Sequence, residues 1–136
     1  MDTTAPVPPA LRPARTEEWL TVRRAKSAGV AIVQVIGEVD LCTSDTVSTN
    51  VTSALTEHPS GLVIDLLEVT FCGCSGLNAL VAADDRARRS RKPLSLVCAG
   101  RTVLRPLELT GLAGRFRIHE SVPQAVRSLR HLSLAG

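Results

Sequence analysis

The chain has 136 residues, 44% of them apolar, and a formal net charge of +3. That length suits one domain with a real core, and the composition excludes a disordered chain. The weak positive charge, with Trp19, Phe71 and Phe116 as the only aromatics, speaks against a nucleic-acid binder, which concentrates basic charge and stacks bases on rings.

Residues 1–16, rich in Pro and Ala and without periodicity, are expected to form a disordered tail, leaving residues 17–132 for the domain. Trp19 to Arg23 reads as a strand, Ala25 to Gly29 as a turn, and the β-branched run Val30 to Ile36 as its hairpin partner. Gly37-Glu38-Val39-Asp40 ends that strand. Ser44 to Glu57 is a predicted helix: Thr43 or Ser44 can cap it, Asp45 suits its positive end, and Val47, Val51, Ala54 and Leu55 make one stripe. Pro59-Ser60-Gly61 breaks it, and Leu62 to Leu67 has the length and apolarity of a central strand.

A loop is expected from Glu68 to Cys74, then a helix from about Ser75 to Arg89 with Leu77, Leu80 and Val81 inward and Asp84 at the edge of the stripe. Leu94 to Cys98 is the next strand, Thr102 to Thr110 a short helix containing Pro106 and closed by Gly111, and Phe116 to Ile118 a last strand. Ser121 and Gln124 have capping-box spacing and open a final helix with Val122, Val126 and Leu129 on one side. The order ββαβαβαβα predicts an α/β domain whose small mixed sheet opens with an antiparallel hairpin.

Several short motifs fall in a telling order: Gly37-Glu38-Val39-Asp40 before a helix, Val63-Ile64-Asp65-Leu66, Val69 to Leu77 around Cys72-Gly73-Cys74-Ser75-Gly76, and Leu109-Thr110-Gly111-Leu112. Together they resemble the STAS domain over about residues 19–131. The resemblance implies a free-standing anti-sigma factor antagonist that works by partner switching in stress-type transcriptional control. The unphosphorylated protein, a monomer when free, binds an anti-sigma factor carrying a GHKL-type serine kinase domain and so frees a sigma factor. Phosphorylation of one serine by that kinase ends the contact, and a phosphatase resets it.

The family's phosphoacceptor loop reads Asp, two hydroxyl residues, Gly, Leu. Matching it sets Gly73 at the Asp, Cys74 at the first hydroxyl residue and Ser75 at the phosphoacceptor, with Gly76 and Leu77 agreeing. Glu38 and Asp40, expected beside this loop, complete the implied partner surface with Gly73, Cys74, Ser75, Gly76 and Leu77. The Gly in place of Asp favours an alternative: an interaction module that is never phosphorylated.

At a helix start, unpartnered N–H groups and the helix dipole favour a phosphate on Ser75, and the flanking glycines leave room for its donor. Serine is also a preferred N-cap, and Asp40 is also a good turn cap. Asp65 is expected to end a buried strand and to hydrogen-bond the following loop.

No apolar run approaches the roughly 18 residues of a membrane span, and Met1 to Pro13 lacks the apolar stretch of a signal peptide. A cytoplasmic protein without membrane partner is therefore expected, with Cys42, Cys72, Cys74 and Cys98 as reduced thiols. Cys42 is expected near Cys72 and Cys74, which leaves a thiol redox switch on Cys72 and Cys74 as a further alternative. The spacing lacks the paired ligands of a metal site, and no cofactor is expected.

The run Asp84-Asp85-Arg86 to Lys92 reads as a solvated helix end or, alternatively, a surface for an acidic partner. His58, His119 and His131 form no triad pattern, and no phosphate-binding glycine loop is present, so no autonomous enzyme is expected.

Overall fold

Two residues in the left-handed region start the fold. Ala28 at φ 53° and Gly29 at φ 83° turn β1 (Leu20–Ser27) into β2 (Val30–Val39), a two-residue hairpin whose twist matches its strands. The turn is tighter than the sequence pattern suggests. Ala25, Lys26 and Ser27 are exposed and carry no apolar alternation, yet they pair with Ile32, Ala31 and Val30. Ladder hydrogen bonding, not burial, extends the strand there.

The computed structural model describes residues 19–135, and the tail expected over residues 1–16 lies outside them. After the hairpin come α1 (Ser44–Thr56), β3 (Gly61–Cys72), α2 (Cys74–Arg89), β4 (Leu94–Val97), α3 (Leu104–Leu109), β5 (Arg117–His119) and α4 (Val122–Ala135). A short 3₁₀ turn, Ala113–Arg115, precedes β5 and has no signature in the sequence pattern. The element order is the expected ββαβαβαβα.

The five strands lie in chain order, β1 antiparallel to β2 and every later pair parallel. Crossovers of one hand between successive neighbours must put their helices on one face. The larger core cluster accordingly joins Val47 and Val51 of α1, Leu77 and Leu80 of α2 and Leu107 of α3 to Val33, Ile64 and Leu96 of the sheet. The opposite face is covered by α4, whose Ala125, Val126 and Leu129 meet Val30, Val63 and Val97. Covered on both faces, Leu62, Val63 and Ile64 are wholly buried, which is why that stretch is uninterruptedly apolar.

The capping spacing before α4 is used. The Ser121 hydroxyl accepts from the Gln124 N–H at 3.3 Å, and the Gln124 carboxamide oxygen accepts from the Glu120 N–H at 3.3 Å.

Two further readings are corrected. The segment from Glu68, expected as loop, continues β3 to Cys72. Its pairing with β2 shifts between Gln34 and Ile36 and again between Gly37 and Glu38, an extra β3 residue each time. Such bulges destroy the period-two alternation by which a strand is recognised. Asp65 therefore sits inside the strand, not at its end. Its buried carboxylate accepts from the Leu67 N–H at 3.0 Å, satisfying a donor at the first bulge.

The second correction concerns the charge run: its acidic half is not simply solvated. Asp84, 6% exposed, accepts from Arg88 Nε at 2.9 Å and Arg115 Nε at 2.6 Å, while Asp85 pairs with the same Arg115. These pairs clip α2 to the 3₁₀ turn.

Leu129 is the anchor of α4, wholly buried against Gly61, where a Cβ would lie only 3.1 Å from its Cδ1. Leu129→Ala is expected to cost about 2–5 kcal/mol, the usual range for such a cavity. Urea unfolding measures it.

Candidate functional site

β2 and β3 run parallel past the core and leave the sheet together. Glu38 pairs with Phe71 and Val39 with Cys72, and the Gly73 N–H then donates to the Val39 carbonyl at 3.0 Å. The Asp40 turn and the start of α2 are thereby neighbours, as the family resemblance implies.

The Asp40 turn is held by its own side chains. The carboxylate oxygen Oδ1 accepts from the Cys42 N–H at 2.9 Å and the Thr43 N–H at 3.1 Å. Thr43 occupies the N-cap position of α1, but its hydroxyl does not cap the helix. Wholly buried, that hydroxyl donates to the Glu38 carbonyl at 2.7 Å and accepts from the Asp40 N–H at 2.9 Å. Asp40 thus plays the plainer of its two expected roles, turn cap. Among the described residues no hydrogen bond joins it to Ser75.

At α2 the N-cap is Gly73, so Cys74 is the first helical residue and Ser75 the second; Ser75 is not the cap. The first intrahelical bond runs from the Leu77 N–H to the Gly73 carbonyl at 3.1 Å. The N–H groups ahead of it have no partner four residues back and face out of the helix end. Ser75 is half-buried and Cys74 exposed.

Gly76 and Leu77, expected at the partner surface, face inward. Leu77 is 6% exposed and belongs to the core. A Cβ on Gly76 would lie 2.8 Å from Cys72 Sγ and 3.1 Å from the Val39 carbonyl oxygen. The glycine is therefore required for α2 to close on the end of β2, not to admit a phosphate donor from outside. Gly73 has φ −87°, open to any residue, and a Cβ there would meet only the half-exposed Phe71 ring, at 3.2 Å.

Ser75 opens into a cleft of about 300 Å³ between α1 and α2, lined by Ser44, Ser48, Ser75, Asn78, Ala79 and Ala82. Small hydroxyl and methyl side chains, with the carboxamide of Asn78, make it shallow and uncharged. No basic side chain lines it, so a phosphate on Ser75 would find backbone N–H groups but no counter-ion there. Two apolar side chains stand out at this rim, Leu41 at 81% and Phe71 at 50% exposure. The sequence pattern did not single them out for a role. An apolar residue inside a short polar turn, and one of only two Phe in the chain, were the available signals.

The thiols divide. Cys42 and Cys74 are exposed, Cys72 half-buried and Cys98 buried. Burial, reinforced by Cys98, pushes the Cys72 thiol up to about 11, and burial alone pushes Cys98 to about 11. Cys72 packs inward against Gly76 while Cys74 points into solvent, so the two do not form a facing pair.

Residues 21–125 match the family model described as the STAS domain. The chain is 33% identical over 111 residues to the anti-sigma-F factor antagonist RsfB of Mycobacterium tuberculosis, covering 82% of this chain and 90% of that protein. A crystal structure of an anti-sigma factor antagonist from Mycobacterium paratuberculosis superposes with a TM-score of 0.76 at 30% identity, over 82% of this chain and 94% of the other. The anti-sigma factor antagonist SpoIIAA in its unphosphorylated form shares the fold at 12% identity, with a TM-score of 0.69 over 82% of this chain and 97% of its own.

Two outcomes follow from the site's packing. Gly76→Ala is expected to lose about 1–3 kcal/mol by overpacking against Cys72 and Val39, read by urea unfolding. Raised thiol values mean that Cys72 and Cys98 stay protonated at pH 8, and the thiolate is the nucleophile. Iodoacetamide at that pH should modify Cys42 and Cys74 first, with Cys72 and Cys98 reacting only as pH approaches about 11 or on unfolding. Peptide mass mapping reads the order.

Proposed function

The chain belongs to the STAS domain family, and on that premise we propose that it is an anti-sigma factor antagonist switched by phosphorylation of Ser75. The observation that carries this reading is the position of Ser75 in the first turn of α2, opening into the cleft beside the Asp40 turn. The name of the relative RsfB and the anti-sigma factor antagonist from Mycobacterium paratuberculosis support the coarser part of it.

In this reading the protein acts in the cytoplasm by binding, not by catalysis. Its unphosphorylated rim docks on an anti-sigma factor and displaces a sigma factor. Leu41 and Phe71 supply apolar contact, Glu38 and the Asp40 turn supply shape and polar contact, and Cys74 and Ser75 lie between them. The partner's GHKL-type kinase domain transfers the γ-phosphoryl group of ATP to Ser75 Oγ. The hydroxyl proton goes to a base of the kinase and ADP leaves.

A phosphoserine adds about −1.5 to −2 charges. With no basic side chain in the cleft and with Asp40 and Asp45 on the adjoining segment, that charge must be desolvated against like charge at the interface. Each ~1.4 kcal/mol so incurred is tenfold in affinity. A phosphatase restores the hydroxyl.

A second reading is kept by one observation. Gly73 stands where the family pattern has Asp, which favours an interaction module that is never phosphorylated. The inward, protonated Cys72 argues against a redox switch built on Cys72 and Cys74.

The switch predicts that Ser75→Ala binds its anti-sigma factor within about threefold of wild type while Ser75→Glu binds at least about tenfold more weakly. Calorimetry measures both. Equal binding by the two variants, with no phosphate on Ser75 by mass spectrometry after incubation with the kinase and ATP, would leave the unswitched module.

A further inference from the structure

The two helices that frame Ser75 with their N-termini frame a second cleft with their C-termini. It has a volume of about 500 Å³, and its charged lining is all basic: Arg86, Arg89 and Lys92, with His58 at its edge. That volume falls within the roughly 300–1,000 Å³ of small-molecule sites.

The positive charge is not ion-paired among the described residues, although Arg86 also lines an adjoining cleft that holds Asp45. Glu57, the acid nearest in sequence to the α1 end, pairs with Arg24 at 3.1 Å and Lys26 at 3.7 Å. Asp85 stands one turn before Arg89, the natural spacing for a helix pair, but its carboxylate is taken by Arg115. Asp84 is taken by Arg88 and Arg115. Among the described residues Arg86, Arg89 and Lys92 make no ion pair.

The dipole of α2 favours basic residues in its last turn, which accounts for part of this. It does not account for Lys92, beyond the helix, or for His58. His58 sits at φ 55° just after α1, where the left-handed conformation ordinarily selects glycine.

We propose that this cleft is a binding site for a small anion carrying two or more phosphate groups. Arg86 and Arg89 are three apart on one helix, so their guanidiniums can each grip phosphate oxygens in a fork, while Lys92 adds a compact charge. Ser90 lines the same cleft and offers a hydroxyl. The Thr52 and Thr56 hydroxyls donate to the Ser48 and Ser53 carbonyls, so they contribute shape, not donors. An acidic protein segment is the less fitting occupant. Protein interfaces rest on exposed aromatic or apolar anchors, and the only large apolar side chain here, Leu55, is 8% exposed. The site is independent of Ser75 and of the partner-switching reading.

The test is a titration of the ¹⁵N-labelled full chain with inorganic pyrophosphate at fixed ionic strength, followed by amide NMR shifts. The site predicts saturable shifts confined to residues 52–58 and 86–92, with a Kd below about 1 mM. The double variant Arg86→Ala/Arg89→Ala changes two exposed side chains, and its unchanged spectrum elsewhere verifies the fold; it should bind at least about tenfold more weakly. A nucleoside diphosphate run in parallel identifies the source of the phosphates: tighter binding than pyrophosphate indicates an organic ligand, weaker binding an inorganic one. Shifts that do not saturate, that spread equally to Arg117, Arg127 and Arg130, or that persist in the double variant would overturn the proposal. Poly-glutamate binding the same residues more tightly than pyrophosphate would overturn it in favour of a protein surface.

Discussion

The parallel pairing of β2 with β3 beyond the core is the constraint on which the site rests. It holds through Val39 and Cys72 and closes with the Gly73 N–H on the Val39 carbonyl. Parallel neighbours deliver their carboxyl ends to the same edge of a sheet, which is where open α/β folds gather function. Here one end turns at Asp40 into α1 and the other starts α2. Thr43, buried under the turn, fixes the first exit by two hydrogen bonds, and the bare Cα of Gly76 lets the second helix seat against the first exit. Loosening either contact, by a change at Thr43 or Gly76, would move Ser75 relative to Asp40 with both of those side chains intact.

Much of this was legible in the sequence, for reasons that can be named. The α1 stripe of Val47, Val51, Ala54 and Leu55 has the helical period and is buried as read. The Ser121–Gln124 spacing encodes its own cap. The tail of β3 was not legible, because two bulges cancel the alternation that marks a strand. The tasks of Asp84 and Asp85 were hidden as well. Their partner Arg115 is about thirty positions away, and no local pattern announces a contact of that range. Gly76 was read as making room outside; the space it saves is inside, which only the packing of Cys72 and Val39 reveals.

The candidate site is notable for what surrounds its serine. Small hydroxyl and methyl groups and the Asn78 carboxamide line the cleft, Leu41 and Phe71 stand at the rim, and no basic side chain lies within it. The rim offers apolar contact, and a phosphate on Ser75 would meet backbone N–H groups, hydroxyls and the Asn78 carboxamide but no cation. The unpaired basic side chains Arg86, Arg89 and Lys92 stand at the far end of the same pair of helices, away from Ser75. Any charge added at Ser75 would be separated from that cluster by most of the length of α2 and screened accordingly.

The central claim is that the Asp40 turn and the first turn of α2 act as a single binding surface. Hydrogen exchange of the chain, alone and with the anti-sigma factor proposed as its partner, tests this directly. Slowed exchange in residues 38–44 and 71–79 together, with β1 and α4 unaffected, is the predicted result. Protection of one segment without the other, or protection centred on α4, would contradict it.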